Sequence, residues 1–218
     1  MLLDYVTAYP NPKIRFYASD MILHVDSDAA YLVQPNTRSQ YSGYYYIGST
    51  KSTNNTLNGA VLVIFITIRH VVASAAKAET GGLFGNDKEM IPIWRGLDAL
   101  DYPQPPTPVK IDNTTSNSFV HSNIRNQRSK TWDMLWNWLR DKATHRDLKY
   151  YWALGKENDA NYYTKHFPPN YHQKIRPNYI LKGFNFTNLD PYYGTLAVPS
   201  HVRECVFPWA STNGYRCL

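Results

Sequence analysis

Cysteine is nearly absent from this chain: Cys205 and Cys217 are the only two, both near the end. A disulfide scaffold is thereby excluded for the main body, and two cysteines alone make a poor zinc site. Long apolar runs are missing as well. The strongest, Ala60–Ile68 (AVLVIFITI), has nine residues, whereas a bilayer-spanning helix needs about 20. It reads instead as a buried strand, and no membrane association is expected. The opening MLLDYVTAYP carries an acid at Asp4 and no long apolar core, which does not fit a secretory signal. An intracellular chain is expected, with the triplets at Asn54, Asn113 and Asn185 as chance glycosylation matches. Also lacking are a Gly-rich phosphate loop, a GxGxxG fingerprint, a Ser-His-Asp set and any internal repeat.

Aromatic residues, by contrast, are plentiful: 15% of the chain, including 18 Tyr and 6 Trp. The 43% hydrophobic content is ordinary for a chain with a sizeable core. Lys and Arg number 23 against 17 acids, a net charge of +6. That balance favours a polyanionic partner, nucleic acid before membrane.

The elements follow from periodicity. Met21, Leu23 and Val25 alternate as in a half-buried strand, which breaks at the polar Asp26-Ser27-Asp28. Asn36–Gln40 is a polar turn, Tyr41–Gly48 a second strand, and Ser49–Gly59 a connector ending on the hairpin signal Asn58-Gly59. Ala60–Ile68 is the third strand, so the first three form an antiparallel meander. Ser74 caps a helix to about Leu100, with Leu83, Met90, Ile93 and Leu97 facing inward. Gly81-Gly82 either weaken it or let it approach the sheet closely.

Tyr102–Pro108 is a stiff spacer, and Val109–Asp112 a short strand ending on an acid. Thr114 or Thr115 caps a helix through about Asn123. The basic run Arg125–Lys130 leads into an amphipathic helix with Trp132, Leu135, Trp136, Leu139 and Ala143 on one face. Leu148–Ala153 is a fifth strand, Asn158–His166 a last short helix, and the chain from Phe167 is read as an irregular tail. The expectation is an α/β, ribonuclease H-like fold. Its five-stranded mixed sheet has three antiparallel strands, then parallel ones, flanked by helices.

Three acids recur at element ends: Asp28, Glu79 and Asp112. Cutting a phosphodiester at neutral pH needs an activated water and neutralised oxygens. Two divalent ions about 3.5–4 Å apart provide both. Mg²⁺ takes hard oxygen ligands, carboxylates above all. Three or four acids from different elements meet that need. Alone, each reads as blandly as a first-turn Glu or a polar turn; together, in this element order, they read as a site.

At these residues the chain resembles the ribonuclease H region at the end of Ty1/copia-type retrotransposon polyproteins. The family's Ser-Asp-Ala stands as Ser27-Asp28-Ala29, and its Ser-x-Ala-x-Ala-Glu as Ser74-Ala75-Ala76-Lys77-Ala78-Glu79. Its Asp-Asn is Asp112-Asn113, and its Arg-Ser-Lys is Arg128-Ser129-Lys130. Its closing Asn-x-Ala-Asp-x-x-Thr-Lys runs from Asn158 to Lys165. The likeness covers roughly residues 1–180, with five motifs in order.

The resemblance implies cleavage of the RNA strand of RNA–DNA hybrids, beside a reverse transcriptase domain of the same polyprotein. Residues 1–20 would be a linker remnant, 21–166 the ribonuclease H-like domain and 167–218 the tail. Asp28, Glu79, Asp112 and Asn161 would be catalytic, the three acids holding two Mg²⁺ or Mn²⁺ ions with Asp28 bridging. Arg125, Arg128 and Lys130, with Arg140, Lys142 and Lys149 nearby, would hold phosphates. Asn161 departs from the family, which has an acid there. An inactive, nucleic-acid- or polymerase-binding remnant is the alternative it raises. An integrase core of the same fold would place a Glu last among its acids, and here the Glu comes second.

Overall fold

The structure, a computed structural model, describes Asp4 and residues 7–49, 57–114 and 130–182. Two compact units separate among them. One holds described residues of Ser19–Thr56 and Ala60–Phe167, the other those of Met1–Ala18, Leu57–Gly59 and Pro168–Leu218.

In the smaller unit, β1 (Pro12–Lys13) pairs antiparallel with β7 (Leu181–Lys182). Asn58 ties the connector to this edge, accepting from the Tyr17 N–H at 2.8 Å and donating to the Tyr17 carbonyl at 3.1 Å. A helix, α4 (Pro169–Tyr179), occupies part of the segment expected to be irregular. The Pro168-Pro169 pair that suggested a tail is compatible with a helix start, because a first-turn proline loses no hydrogen bond and has its φ preset.

The larger unit is built on a five-stranded sheet of order β4-β3-β2-β5-β6. β2 (Ile22–Gln34), β3 (Arg38–Gly48) and β4 (Ala60–Thr67) form an antiparallel meander. The helix α1 (Ala75–Ala99) then crosses to β5 (Thr107–Ile111), parallel to β2. A second helix, α2 (Lys130–Thr144), leads to β6 (Leu148–Trp152), parallel to β5. This is the ribonuclease H-like strand order. The helix expected to end near Asn123 lies outside the described residues.

β2 does not break at Asp26-Ser27-Asp28 but runs through them as the central strand. The polar run stays extended because each side chain finds a distant partner: Lys110 for Asp26, Asn86 for Ser27 and Thr164 for Asp28. Likewise Ala60–Ile68 is not a strand buried on both faces. β4 lies at the sheet edge, its Leu62 and Ile64 packed on the core while Phe65 is 65% exposed.

One sheet face carries Leu23, Val25, Tyr45, Ile47, Val109 and Tyr150 and meets Leu83 and Met90 of α1 with Trp136 and Leu139 of α2. Ile93 is only partly buried there. Ser74 caps α1 as its sequence position suggests, its side chain accepting from the Lys77 N–H at 3.3 Å. Within this core Asn86 donates to Ser27 Oγ at 2.7 Å and to the Ser42 carbonyl at 2.8 Å, fixing α1 against β2 and β3.

Gly82 settles how closely α1 approaches: a Cβ there would lie 2.7 Å from the Tyr41 Cβ, which is backbone-anchored and cannot swing aside. Gly82→Ala is therefore expected to destabilise the fold by roughly 1–2 kcal/mol, overpacking outweighing the gain in helix propensity. In urea unfolding the midpoint should fall with the slope unchanged.

The opposite sheet face is polar and aromatic. His24, Asp26, Tyr44, Tyr46, Lys110 and Tyr151 stand there in adjacent registers. His24 stacks on Tyr46 with ring centroids 5.0 Å apart, and its Nε2 is buried without a partner. Burial, then the nearby Lys110 charge, lowers its pKa from 6.5 to about 4. The unfolded chain therefore takes up the proton first as pH falls. The His24 contribution is full above pH 6.5 and is lost on the way down to about 4. His24→Phe keeps the stack and removes the titration. It should gain about 2–3 kcal/mol relative to wild type between pH 7 and 4.5 in urea unfolding, at 1.36 kcal/mol per pKa unit. Asp87, buried in the core and raised to about 7 by that burial, titrates equally in both proteins and cancels in the comparison.

Candidate active site

Three separated elements deliver the acids. Asp28 sits on β2 opposite Ser42. Glu79 lies near the start of α1, where the Ser74 cap sets the helix origin. Asp112 follows directly on Ile111, the last residue of β5. Ligand oxygens of the three lie within 4.8 Å of one another. No other such group of His, Cys, Asp and Glu occurs among the described residues.

Electrostatically the cluster is crowded. Burial raises the Asp28 pKa, partly offset by the Thr164 hydroxyl that donates to Oδ2 and by the Ala29 amide. Glu79 is pushed well up, first by burial and then by Asp28 and Asp112. Asp112 rises through burial and then Asp28. Each carboxyl resists ionisation, and a cation among them would relieve that cost. The donor set is made of hard carboxylate oxygens, the type that Mg²⁺ and Mn²⁺ take. The three residues therefore fit a divalent ion. Gly155 lies close beside the cluster: a Cβ there would come within 2.7 Å of Asp112 Oδ2, so a larger residue would require that carboxylate to shift.

A loop and one short helix close the site. After the 3-10 turn Gly155–Glu157, Asn158 donates to the Ser27 carbonyl at 2.8 Å and accepts from the Ala160 N–H at 3.1 Å. It thus moors α3 (Asn161–Thr164), shorter than the expected Asn158–His166 helix, to β2. Asn161 donates from Nδ2 to the Gly155 carbonyl at 3.2 Å, while its Oδ1 accepts from the Lys165 ammonium. The Lys165 charge acts on all three carboxyls.

Asp26 is neither surface nor part of the cluster. It is fully buried, paired with Lys110 at 2.8 Å, and accepts from the Asp159 N–H at 3.0 Å. Asp159, two residues before Asn161, belongs with this pair and is not one of the three clustered acids. Thr164, Lys165, Gly155 and Asn158 carry roles that sequence reasoning missed. All but Gly155 stood in a recognised motif, but nothing local showed what they touch.

Of the expected phosphate-binding residues, Arg125 and Arg128 and the Lys130 side chain lie outside the described residues. Lys142 is engaged locally, paired with Asp147 at 2.9 Å. Trp136 is buried in the core, and Trp138 packs edge-on to Phe84 at 5.1 Å; the Trp132 side chain lies outside the described residues. No described helix is long and apolar enough to cross a membrane.

The chain is thus a ribonuclease H-like fold carrying three clustered carboxyls. No protein-family model and no curated protein matches the sequence. Among solved structures it is similar to the N-terminal RNase H domain of Rv2228c from Mycobacterium tuberculosis, solved as a maltose-binding-protein fusion. That match has 14% identity and a TM-score of 0.45, over 66% of this chain and 91% of that one. It is similar to LC11-RNase H1 in complex with an RNA/DNA hybrid, at 10% identity and TM-score 0.47, over 65% and 92%. It is also similar to the prototype foamy virus protease–reverse transcriptase, at 13% identity and TM-score 0.41, over 66% of this chain and 20% of that one.

Proposed function

We propose that this chain is a ribonuclease H-type hydrolase. It cuts the RNA strand of RNA–DNA hybrids during reverse transcription of a Ty1/copia-type element, beside the reverse transcriptase domain of the same polyprotein. The observation that carries this reading is the convergence of Asp28, Glu79 and Asp112 within 4.8 Å on a ribonuclease H-like sheet. The ordered motifs around those residues support the element type.

Asp28, Glu79 and Asp112 would hold the divalent ions, two in the arrangement the family implies, with Asn161 offering only a carbonyl oxygen. Bound there, such ions activate water and neutralise charge on the phosphate. The protein's own part is to fix the three carboxyls on β2, α1 and the end of β5, where packing keeps them from swinging apart. The net charge of +6, with Arg125, Arg128 and Lys130, would draw in the hybrid backbone without reading sequence.

The test is a labelled RNA–DNA hybrid incubated with the chain and Mg²⁺ or Mn²⁺. The RNA strand should shorten in the hybrid, remain intact as a single strand, and remain intact without a divalent ion. No cutting with either ion sinks the hydrolase reading. Hybrid binding without cutting would then favour an inactive binding remnant, to which Asn161 in place of an acid already points.

A further inference from the structure

We propose, resting on the hydrolase reading above, that Lys165 is a resident counter-cation. Its ammonium supplies, in the nucleic-acid-free protein, the one positive charge still needed beside a first divalent ion, so that the three carboxyls take a single divalent ion and not two.

Two separate contacts lead there. Lys165 donates to Asn161 Oδ1, the one oxygen that the fourth position could offer a metal, and its charge acts on Asp28, Glu79 and Asp112 alike. Thr164 donates to Asp28 Oδ2, which leaves that carboxylate one oxygen without this donor where a bridging role would draw on both. Both contacts come from the C-terminal end of α3, a four-residue helix whose entry Asn158 moors to β2, so they follow from how the helix is seated. Charge counting agrees. The negative charges of three ionised carboxyls are balanced by one divalent ion and one ammonium. A second ion would leave two uncompensated positive charges in a partly buried site before any phosphate arrived.

Mn²⁺ titration of the full chain, without nucleic acid, tests this by calorimetry and by the electron paramagnetic resonance signal of free Mn²⁺. Wild type should bind one ion. Lys165→Met keeps the aliphatic stem and removes the charge. It should bind that ion several-fold to about tenfold tighter, because removing a unit charge whose field reaches all three carboxyls lifts a repulsion that solvent screens only in part at this exposed side chain. Lys165→Arg should keep the wild-type affinity. Two ions bound by wild type, or equal affinity in wild type and Lys165→Met, would overturn the counter-cation while leaving the metal site and the hydrolase reading in place. Absence of Mn²⁺ binding in both proteins would overturn both.

Discussion

Asp28→Asn should lower the rate of hybrid cleavage by at least about 100-fold, more than the loss of a residue that merely supports a metal ligand. Of the three carboxyls Asp28 is the most buried, and it stands on the central strand of the sheet, paired with Ser42 of β3. An amide in its place can still accept from Thr164, so the contact between α3 and β2 survives. What it loses is the negative charge. Because burial already opposes ionisation at this position, neutralising it relieves a cost. The variant should melt no lower than wild type in the absence of metal. Activity and stability should therefore part company, and a Tm that fell along with activity would mean Asp28 is structural. Glu79 is held above the usual carboxylate range partly by Asp28, so the same substitution should lower the Glu79 pKa, which carboxyl NMR titration would report.

The strand order was legible because apolar alternation recurs where each strand meets the core, at Leu23 and Val25, Tyr45 and Ile47, Val109 and Ile111. The origin of α1 was legible from Ser74, whose capping role is local. The clustering of the acids was legible only through ordered motifs, since nothing local says that the middle of β2, the residue after β5 and the start of α1 meet. Features hidden from the sequence all depend on partners far along the chain. β2 continues through its polar run because Lys110, Asn86 and Thr164 satisfy it. Ala60–Thr67 is exposed on one face because sheet order, not composition, puts it at the edge. Lys165 is the exposed charge its sequence suggests, and only the placing of α3 shows that this charge reaches the three carboxyls.

Asn161→Asp should raise hybrid cleavage by about 10–100-fold with Mg²⁺, the inverse of the penalty expected for a neutral group at a metal-supporting position. Asn161 opens α3, donating to the Gly155 carbonyl and accepting from Lys165. A carboxylate there cannot make the first contact and must turn away from that carbonyl, and its charge strengthens the second. In the metal-free protein it also adds a fourth negative group beside three that already resist ionisation. The variant should therefore melt lower than wild type in chelator and recover on adding Mn²⁺, by more than wild type does, since an ion that binds only the folded state stabilises it by mass action. Lys165 sets the size of the gain. While its ammonium stays on position 161 the new carboxylate is partly neutralised, so Asn161→Asp with Lys165→Met should exceed the sum of the two single effects on Mn²⁺ affinity. Brisk cleavage by wild type, unchanged in Asn161→Asp, would show that the neutral amide costs this site nothing.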